Sequence, residues 1–347
     1  MRLYLLITAA CLTVPAVASA AQDKPRVHII ATGGTISNLG GNARRTGSEL
    51  VAAIPGLANV AQVTVEQFSN IASGAITHDH WRSLAERIAT IFREPNAPAG
   101  IVITHGTDTM EETAYFLDLT ASTCSPIVLT GAMRQADAVG ADGPANLLNA
   151  VRVAAAPQAR NQGALILMND EVFRARDVTK SNASRMDAFT APNVGPVGVA
   201  DPDSIVFLRP AGARACKPVF DAAVLNDLPR VDVVYAHIGS DSVMVDAAVA
   251  AGARGIVIAG VGRGGMPPAL GRAVQRALER GVMVAISSRT GSGRVGQTFN
   301  ADTQKVAGRG AMIPAQELNP QKARILLMLS LAAKYDSRRI AEMFRSM

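Results

Sequence analysis

The sequence predicts an α/β protein with two α/β domains: a larger N-terminal domain on a mostly parallel, doubly wound sheet, and a smaller C-terminal domain with a parallel sheet. Strand-like apolar runs alternate with helical patterns through the N-terminal half, which is typical of sheets covered by helices on both faces. A polar, proline-containing stretch then precedes a second, shorter series of strands and helices. With 48% hydrophobic and 18% charged residues, the 347-residue chain can bury a sizeable core.

Short apolar runs and helical spacing place the elements of the larger domain. The strand candidates are Val27–Ala31, Val63–Ser69, Gly100–Thr104, Pro126–Thr130 and Gly163–Met168. Helical spacing covers His80–Phe92 and Glu111–Leu119. We expect the first of these helices to begin at Thr77, because a threonine hydroxyl caps the free amides of a helix start.

The domain boundaries follow from composition. We expect the N-terminal domain to cover residues 26–208 and the linker to cover residues 209–228, where Pro210 to Pro229 is polar. The C-terminal domain then covers residues 229–347. Its strand candidates are the runs VDVVYA, GIVIAG and GVMVAIS, which begin at Val231, Gly255 and Gly281.

Residues 1–20 have the pattern of an export signal. A charged start is followed by a largely apolar run from Leu3 to Val17, and Ala18-Ser19-Ala20 fits a small-residue cleavage site. The run is too short and interrupted for a membrane span. We therefore expect a periplasmic or secreted protein whose mature form is not bound to a membrane.

Charge and side-chain types limit the classes of partner and cofactor that we expect. The formal net charge is +6, but the arginines are scattered and only 4% of residues are aromatic, so we expect no nucleic-acid partner. The five histidines are too dispersed for zinc spacing. We expect neither a metal nor another cofactor.

Two threonines occupy similar positions, each in a glycine turn after a strand. Thr35 follows the first strand candidate through Gly33-Gly34, and Thr107 with Asp108 follows the strand that ends at Thr104. The carboxyl ends of strands in open α/β sheets bind ligands, and helix starts there favour an oxyanion. A nucleophile with a proton-transfer partner is one interpretation. Helix capping by the same side chains is the alternative.

These motifs resemble those of the bacterial type II L-asparaginases and the related glutaminase-asparaginases. The resemblance runs from about Val27 to the C-terminus, with its motifs in the family's order. The motifs are ATGGTI from Ala31, ITHGTDTMEETAYFL from Ile103, GAMR from Gly131, ADGP from Ala141, MND from Met168, RDVTK from Arg176 and NPQKAR from Asn319.

The resemblance implies hydrolysis of the side-chain amide of L-asparagine, without a cofactor, by a homotetramer built as a dimer of dimers. It implies that Thr35 is the nucleophile, supported by Thr107, Lys180 and Asp108, and that an acyl-enzyme forms. It also implies a substrate site in which Thr107 and Asp108 take part. Ser73 would bind the α-carboxylate, and backbone amides near Thr107 and Ala132 would bind the oxyanion.

Some motif residues have simpler interpretations. The resemblance gives His105 no catalytic part, so we interpret it as structural. Glu111 and Glu112 fit acids that complement the dipole of a helix start. Asp142 fits a turn-organising residue.

Two departures from the family concern the substrate site. Gly74 stands where the family has glutamine or glutamate beside the substrate's α-amino group. The glycine-rich lid, Ser37 to Gly47, lacks the family's tyrosine, and Arg44 and Arg45 lie roughly at its place. We therefore hypothesise a relaxed or shifted substrate, including L-glutamine or an amide that is more acidic or has a blocked amino group.

Two questions stay open on the sequence. An oxidising compartment would allow Cys124 and Cys216 to pair, but the family's partner position on the preceding helix carries no cysteine, so we expect two free, buried thiols. The rival from another class is a periplasmic amino-acid binding protein without turnover, which would have no need of paired threonines and a lysine.

Overall fold

The computed structural model describes residues 24–210, 216–296 and 310–347. The strands are, in chain order, β1 (Arg26–Gly33), β2 (Gln62–Ile71), β3 (Gly100–Thr104), β4 (Ile127–Thr130), β5 (Ala164–Met168), β6 (Glu171–Arg174), β7 (Thr179–Lys180), β8 (Phe189–Thr190), β9 (Gly198–Ala200), β10 (Ile205–Phe207), β11 (Val231–Tyr235), β12 (Gly255–Gly260), β13 (Met283–Ser288) and β14 (Met312–Pro314).

The helices cover the sheets. They are α1 (Gly47–Ala52), α2 (Leu57–Val60), α3 (His78–Arg93), α4 (Met110–Thr120), α5 (Gly143–Ala155), α6 (Val243–Ala250), α7 (Pro268–Glu279), α8 (Pro320–Ala332) and α9 (Ser337–Ser346). The expected start of the first long helix is confirmed, because Thr77 is the N-cap of α3 and its side chain accepts from the amide of His80.

The larger sheet has eight strands in the order β10-β9-β6-β5-β4-β3-β1-β2. Strands β1 to β5 pair in parallel, whereas β6, β9 and β10 pair antiparallel at one side. The strand order reverses between β1 and β3, and such a switch point opens a crevice at the carboxyl ends of the two strands. The predicted mostly parallel sheet is confirmed.

The smaller sheet consists of β11, β12, β13 and β14, all parallel. The predicted second α/β unit is therefore confirmed. Strand β14 was not predicted, and neither were the short strands β6 to β10, because two to four residues carry too little periodicity to be distinguished from loops.

The cores lie on both faces of the larger sheet, as the doubly wound prediction requires. Helices α1, α2 and α5 cover one face, and α3, α4 and α8 share a continuous core on the other. Helix α8 belongs to the C-terminal part of the chain but packs against α4. The start of α8 therefore lies next to the strand ends of the larger sheet.

The expectation of two free, buried thiols is wrong. Cys124 and Cys216 form a disulfide with 4.7 Å between their Cα atoms, and Cys216 is exposed. The physical reason is the path of the linker, in which the amides of Val219 and Phe220 donate to the carbonyl of Leu119 near the end of α4. This anchor brings Cys216 to Cys124 across 92 positions of sequence.

Two further observations concern the N-terminus and the membrane. The predicted signal peptide, residues 1–20, lies outside the described residues. Within the ranges given above, no helix has the length and apolar character needed to cross a bilayer.

Candidate active site

The predicted threonine loops meet at the switch point between β1 and β3. Gly34, with φ of 88°, lies so close to Gly106 that a Cβ atom on Gly34 would be 2.3 Å from the Gly106 Cα. Only glycine permits this contact, because it combines a left-handed backbone with backbone packing. The next residues in the two loops are Thr35 and Thr107, which are therefore neighbours at the crevice.

Two more loops complete the surroundings of these threonines. A Cβ atom on Gly106 would lie 2.8 Å from Ser73 Cβ, and one on Gly131 would lie 3.2 Å from Thr107 Cγ2. The hydroxyl of Thr109 donates to the Ser73 carbonyl at 2.9 Å. Ser73 and the turn that contains Ala132 are thus packed around the 106–109 segment.

The side chain of Lys180 connects to the second threonine loop directly. Its Nζ donates to Thr107 Oγ1 at 2.9 Å and to Asp108 Oδ1 at 2.5 Å. The lysine side chain is only 12% exposed, whereas that of Asp108 is 78% exposed. The lysine is thus held under the crevice, while the carboxylate faces the open side.

A short hairpin holds Lys180 in this position. Strand β7 pairs antiparallel with β8, and Lys180 lies opposite Phe189. Phe189 is buried, as is Val178 two residues before the lysine. The apolar anchors fix the hairpin, so the polar end of Lys180 points to Thr107 and Asp108.

The capping alternative does not account for the threonines. The N-cap of α4 is Thr109, which makes no side-chain capping bond. The N-cap of the short 3-10 helix Thr35–Ser37 is Gly34, again without a side-chain capping bond. Among the described residues, the hydroxyl of Thr107 bonds Lys180, and no bonded partner of the Thr35 hydroxyl is found.

Glu111 lies in the first turn of α4, as expected, but the sequence did not indicate its partners. It was interpreted as a dipole-complementing acid, but its side chain is 5% exposed and lies 3.6 Å from the ammonium of buried Lys322. Burial lowers the pKa of Lys322, and the negative charge of Glu111 opposes that effect. The NPQKAR motif, which contains Lys322, was the available signal, although its distance in sequence hid the contact.

His105 and Asp142 have the structural roles expected of them. His105 is fully buried, its Nδ1 lies 2.8 Å from the Gly106 carbonyl and its Nε2 3.0 Å from Thr113 Oγ1. Burial lowers the pKa of His105 to about 4, so the ring is neutral at pH 7. Asp142 accepts from the amides of Met133 and Arg134 and so organises the turn after β4.

The lid segment forms a small hairpin. Asn38 bridges to Arg44, and the amide of Gly40 donates to Asp137 Oδ2 at 2.7 Å. The Arg44 guanidinium donates to the carbonyl of Asn70 at 2.5 Å. Arg45 lines a small apolar cavity, and its carbonyl accepts from Asn70 Nδ2 at 3.2 Å. Both arginines therefore contact the end of β2 that precedes Ser73.

Position 74 opens onto a cleft. A Cβ atom on Gly74 would meet nothing within 4 Å. The adjoining cleft has a volume of about 330 Å³, and His78, Trp81 and Arg324 contribute to its lining. In the described part of the chain, no group of three or more histidine, cysteine or acidic side chains is placed to hold a metal ion.

Family models match both parts of the chain. Residues 26–212 match the family model "Asparaginase, N-terminal", and residues 230–344 match "Glutaminase/Asparaginase C-terminal domain". The chain is 40% identical to "L-asparaginase 2" of Bacillus subtilis (strain 168), covering 94% of this chain and 88% of that protein. It is 39% identical to "L-asparaginase 2" of Escherichia coli (strain K12), covering 97% of each.

Two further matches are similar in extent. "Probable L-asparaginase periplasmic" of Haemophilus influenzae is 38% identical, over 93% of each chain. The solved structure of "Probable Cytoplasmic L-asparaginase from Campylobacter jejuni" is 37% identical with a TM-score of 0.84, covering 93% of this chain and 100% of that one. Matches of this identity over nearly the whole length show common descent, and the chain belongs to the asparaginase family of amidohydrolases.

Proposed function

We propose that the protein hydrolyses the side-chain amide of L-asparagine to L-aspartate and ammonia, with Thr35 as nucleophile. The contact of Lys180 Nζ with both Thr107 Oγ1 and Asp108 Oδ1 carries the proposal. A hydroxyl is a poor nucleophile until a neighbouring base takes its proton. The names of the relatives from Bacillus and Escherichia support the substrate.

The reaction divides into two half-reactions. Thr35 Oγ1 attacks the carboxamide carbon while its proton passes to the Thr107–Lys180 pair, and the pair returns a proton to the nitrogen as the C–N bond breaks. Ammonia leaves an acyl-enzyme. Water then adds to the acyl carbon and gives a proton to the same pair. As the bond from the acyl carbon to Thr35 Oγ1 breaks, the pair passes that proton to Thr35 Oγ1, and the acid is released.

The surrounding residues would hold the substrate in line with Thr35. Ser73 binds the α-carboxylate, and Asp108 accepts from the α-ammonium through Oδ2, since its Oδ1 accepts from Lys180. Backbone amides near Thr107 and in the Ala132 turn would stabilise the oxyanion that forms during attack.

The test is ammonia release by the purified protein from L-asparagine, D-asparagine, L-glutamine and an N-blocked asparagine, with Thr35→Ala as control. The proposal expects rapid release from L-asparagine that is lost in Thr35→Ala. The substitution would leave binding of asparagine measurable by calorimetry. Binding by both proteins without turnover would instead identify an amino-acid binding protein.

A second candidate is an amidohydrolase for a larger or differently charged amide. The open space at Gly74 and the cleft beside it favour this candidate. They leave room at the position where the family has a glutamine or glutamate side chain beside the substrate's α-amino group. Discrimination of one methylene in a pocket amounts to about 1–3 kcal/mol, so L-glutamine is also a candidate. Release only from L-glutamine or the N-blocked amide would support this function.

We also propose that copies of the chain associate into a homotetramer. The C-terminal α/β unit exposes large apolar side chains around one loop region, with Ile238 98% exposed and both Val243 and Met244 62% exposed. Large exposed apolar side chains that lie close in sequence favour a protein contact surface. Light scattering coupled to size exclusion would show a mass of four chains, and a monomer at micromolar concentration would contradict the proposal.

Export is the proposed location. The sequence of residues 1–20 and the name of the Haemophilus relative favour the periplasm, whereas the Campylobacter protein is named as cytoplasmic. N-terminal sequencing of protein from the periplasmic fraction should begin at Ala21 or Gln22. An unprocessed chain confined to the cytoplasmic fraction would contradict export.

A further inference from the structure

Glu111 lies in the first turn of α4 as a buried carboxylate with four partners. Its Oε1 accepts from the Thr179 hydroxyl at 3.0 Å and from the backbone amide of Lys180 at 3.2 Å. Its Oε2 accepts from Asn319 Nδ2 at 2.8 Å and lies 3.6 Å from Lys322 Nζ. Complementing a helix dipole requires no such set of hydrogen-bonded partners, so these contacts point to a further role.

Lys322, on helix α8, binds backbone carbonyls in the segment that leads to Lys180. Its ammonium donates to the Arg176 carbonyl at 3.1 Å and to the Val178 carbonyl. The side chain is 1% exposed, and its charge is compensated by these carbonyls and by the negative charges of Glu111 and Asp177. The segment from Arg176 to Lys180 is therefore fixed between an acid on α4 and a base on α8.

As a result, the side-chain amine and the backbone amide of Lys180 both bond to the segment from Thr107 to Glu111. Its Nζ bonds Thr107 and Asp108, and its backbone amide bonds Glu111. A long lysine side chain has many rotamers, and fixing its backbone end restricts where its amine can lie. The distance from Nζ to Thr107 then depends on Glu111.

We propose that the Glu111–Lys322 pair positions Lys180 for proton transfer, so that helix α8 of the C-terminal unit takes part in catalysis. This inference rests on the proposed function, in which Lys180 moves the proton. Neither Glu111 nor Lys322 touches the reacting atoms, and both are positioning residues. Without the pair, the Asp108 contact persists but Nζ moves relative to Thr107.

The test uses the variants Glu111→Gln, Lys322→Met and their double combination, with Glu66→Gln as the matched control. Glu66 is a partly buried glutamate of the edge strand β2 that accepts from Arg87 through both carboxylate oxygens. Ammonia release gives kcat and KM, and thermal unfolding gives stability. The control separates loss of an ion pair from loss of lysine positioning.

We expect Glu111→Gln to lower kcat about a hundredfold, the scale of a misplacement near 1 Å, with KM close to its starting value because Ser73 and Asp108 remain. Lys322→Met should lower kcat in the same direction. The double variant has no unpaired buried ammonium, so it should regain thermal stability relative to Glu111→Gln but not kcat. Glu66→Gln should lose stability and keep kcat.

Recovery of kcat together with stability in the double variant would overturn the inference, as would full kcat in Glu111→Gln. If Glu111→Gln does not fold, the double variant supplies the test. Lys180→Met distinguishes the two proposals. Full activity of Lys180→Met would reject the proposed proton transfer itself, whereas an inactive Lys180→Met beside a fully active Glu111→Gln would reject only the positioning role.

Discussion

The amine of Lys180 lies 2.9 Å from the hydroxyl of Thr107, a residue 73 positions earlier in the chain. The contact joins the end of β3 to the β7–β8 hairpin, two segments without a direct connection. Because Asp108 also binds the amine, the amine is held beside the Thr107 hydroxyl by two contacts. The proposed proton transfer rests on this contact.

Replacement of that lysine tests its role. Lys180→Met keeps the length and apolar stem of the side chain but removes the amine. We expect kcat for amide hydrolysis to fall by about a thousandfold, within the usual range for a general acid–base group. The same substitution at the exposed Lys217 serves as control, and equal rates in the two variants would contradict the role.

A glutamine at position 74 would test whether an added hydrogen bond to the substrate improves binding. The backbone there has space for a side chain, so Gly74→Gln should fold normally. A restored hydrogen bond to the α-ammonium contributes about 1.5–3 kcal/mol, and KM for L-asparagine should fall by roughly one to two decades. Gly74→Ala should leave KM unchanged. If the glutamine variant behaves as the alanine variant, the missing side chain does not limit binding.

The buried ring of His105 predicts an acid-sensitive fold. Its folded pKa, about 4, is below the value of about 6.5 in an unfolded chain. Protonation therefore favours the unfolded state, so stability is lost as the pH falls through 6.5 toward 4. The shift corresponds to a loss on the order of 3 kcal/mol.

Denaturant titrations at pH 7 and pH 4 would measure this loss. The variant His105→Gln removes the titrating group, so its free energy of unfolding should change less between the two pH values. Burial also lowers the pKa of His28 and His78, and these residues leave part of the dependence in the variant. An equal change in both proteins would contradict the role of His105.

The disulfide predicts a stability difference without an activity difference. It closes a loop of 92 positions, and such cross-links typically contribute about 2–4 kcal/mol by restricting the unfolded chain. The double substitution Cys124→Ser with Cys216→Ser should lower the melting temperature and leave kcat intact. A reducing agent should have the same effect on the unmodified protein and none on the variant.

The sequence predicted those strands and helix ends that are determined by residues adjacent in the chain. Strand β3 has the predicted bounds, Gly100 to Thr104, because a buried parallel strand is a continuous apolar run between turn signals. The start of α3 was predicted from Thr77 for a similarly local reason. The short antiparallel strands carry no such pattern.

Contacts between segments that are distant in the chain could not be predicted from local sequence patterns. The resemblance to a family, rather than periodicity, assigned Lys180 to Thr107. Nothing near Glu111 in sequence indicates that its side chain accepts from Asn319 and pairs with Lys322. The pairing of Cys124 likewise depends on the path of the linker, which local patterns do not determine.

The docking of α8 has a consequence for biosynthesis. The buried carboxylate of Glu111 receives its ion-pair partner from Lys322, near the end of the chain. A nascent chain that has completed the larger sheet still lacks this charge. We expect amide hydrolysis to begin only when the last helices have folded against the larger sheet, so completion of the C-terminal fold sets when activity appears.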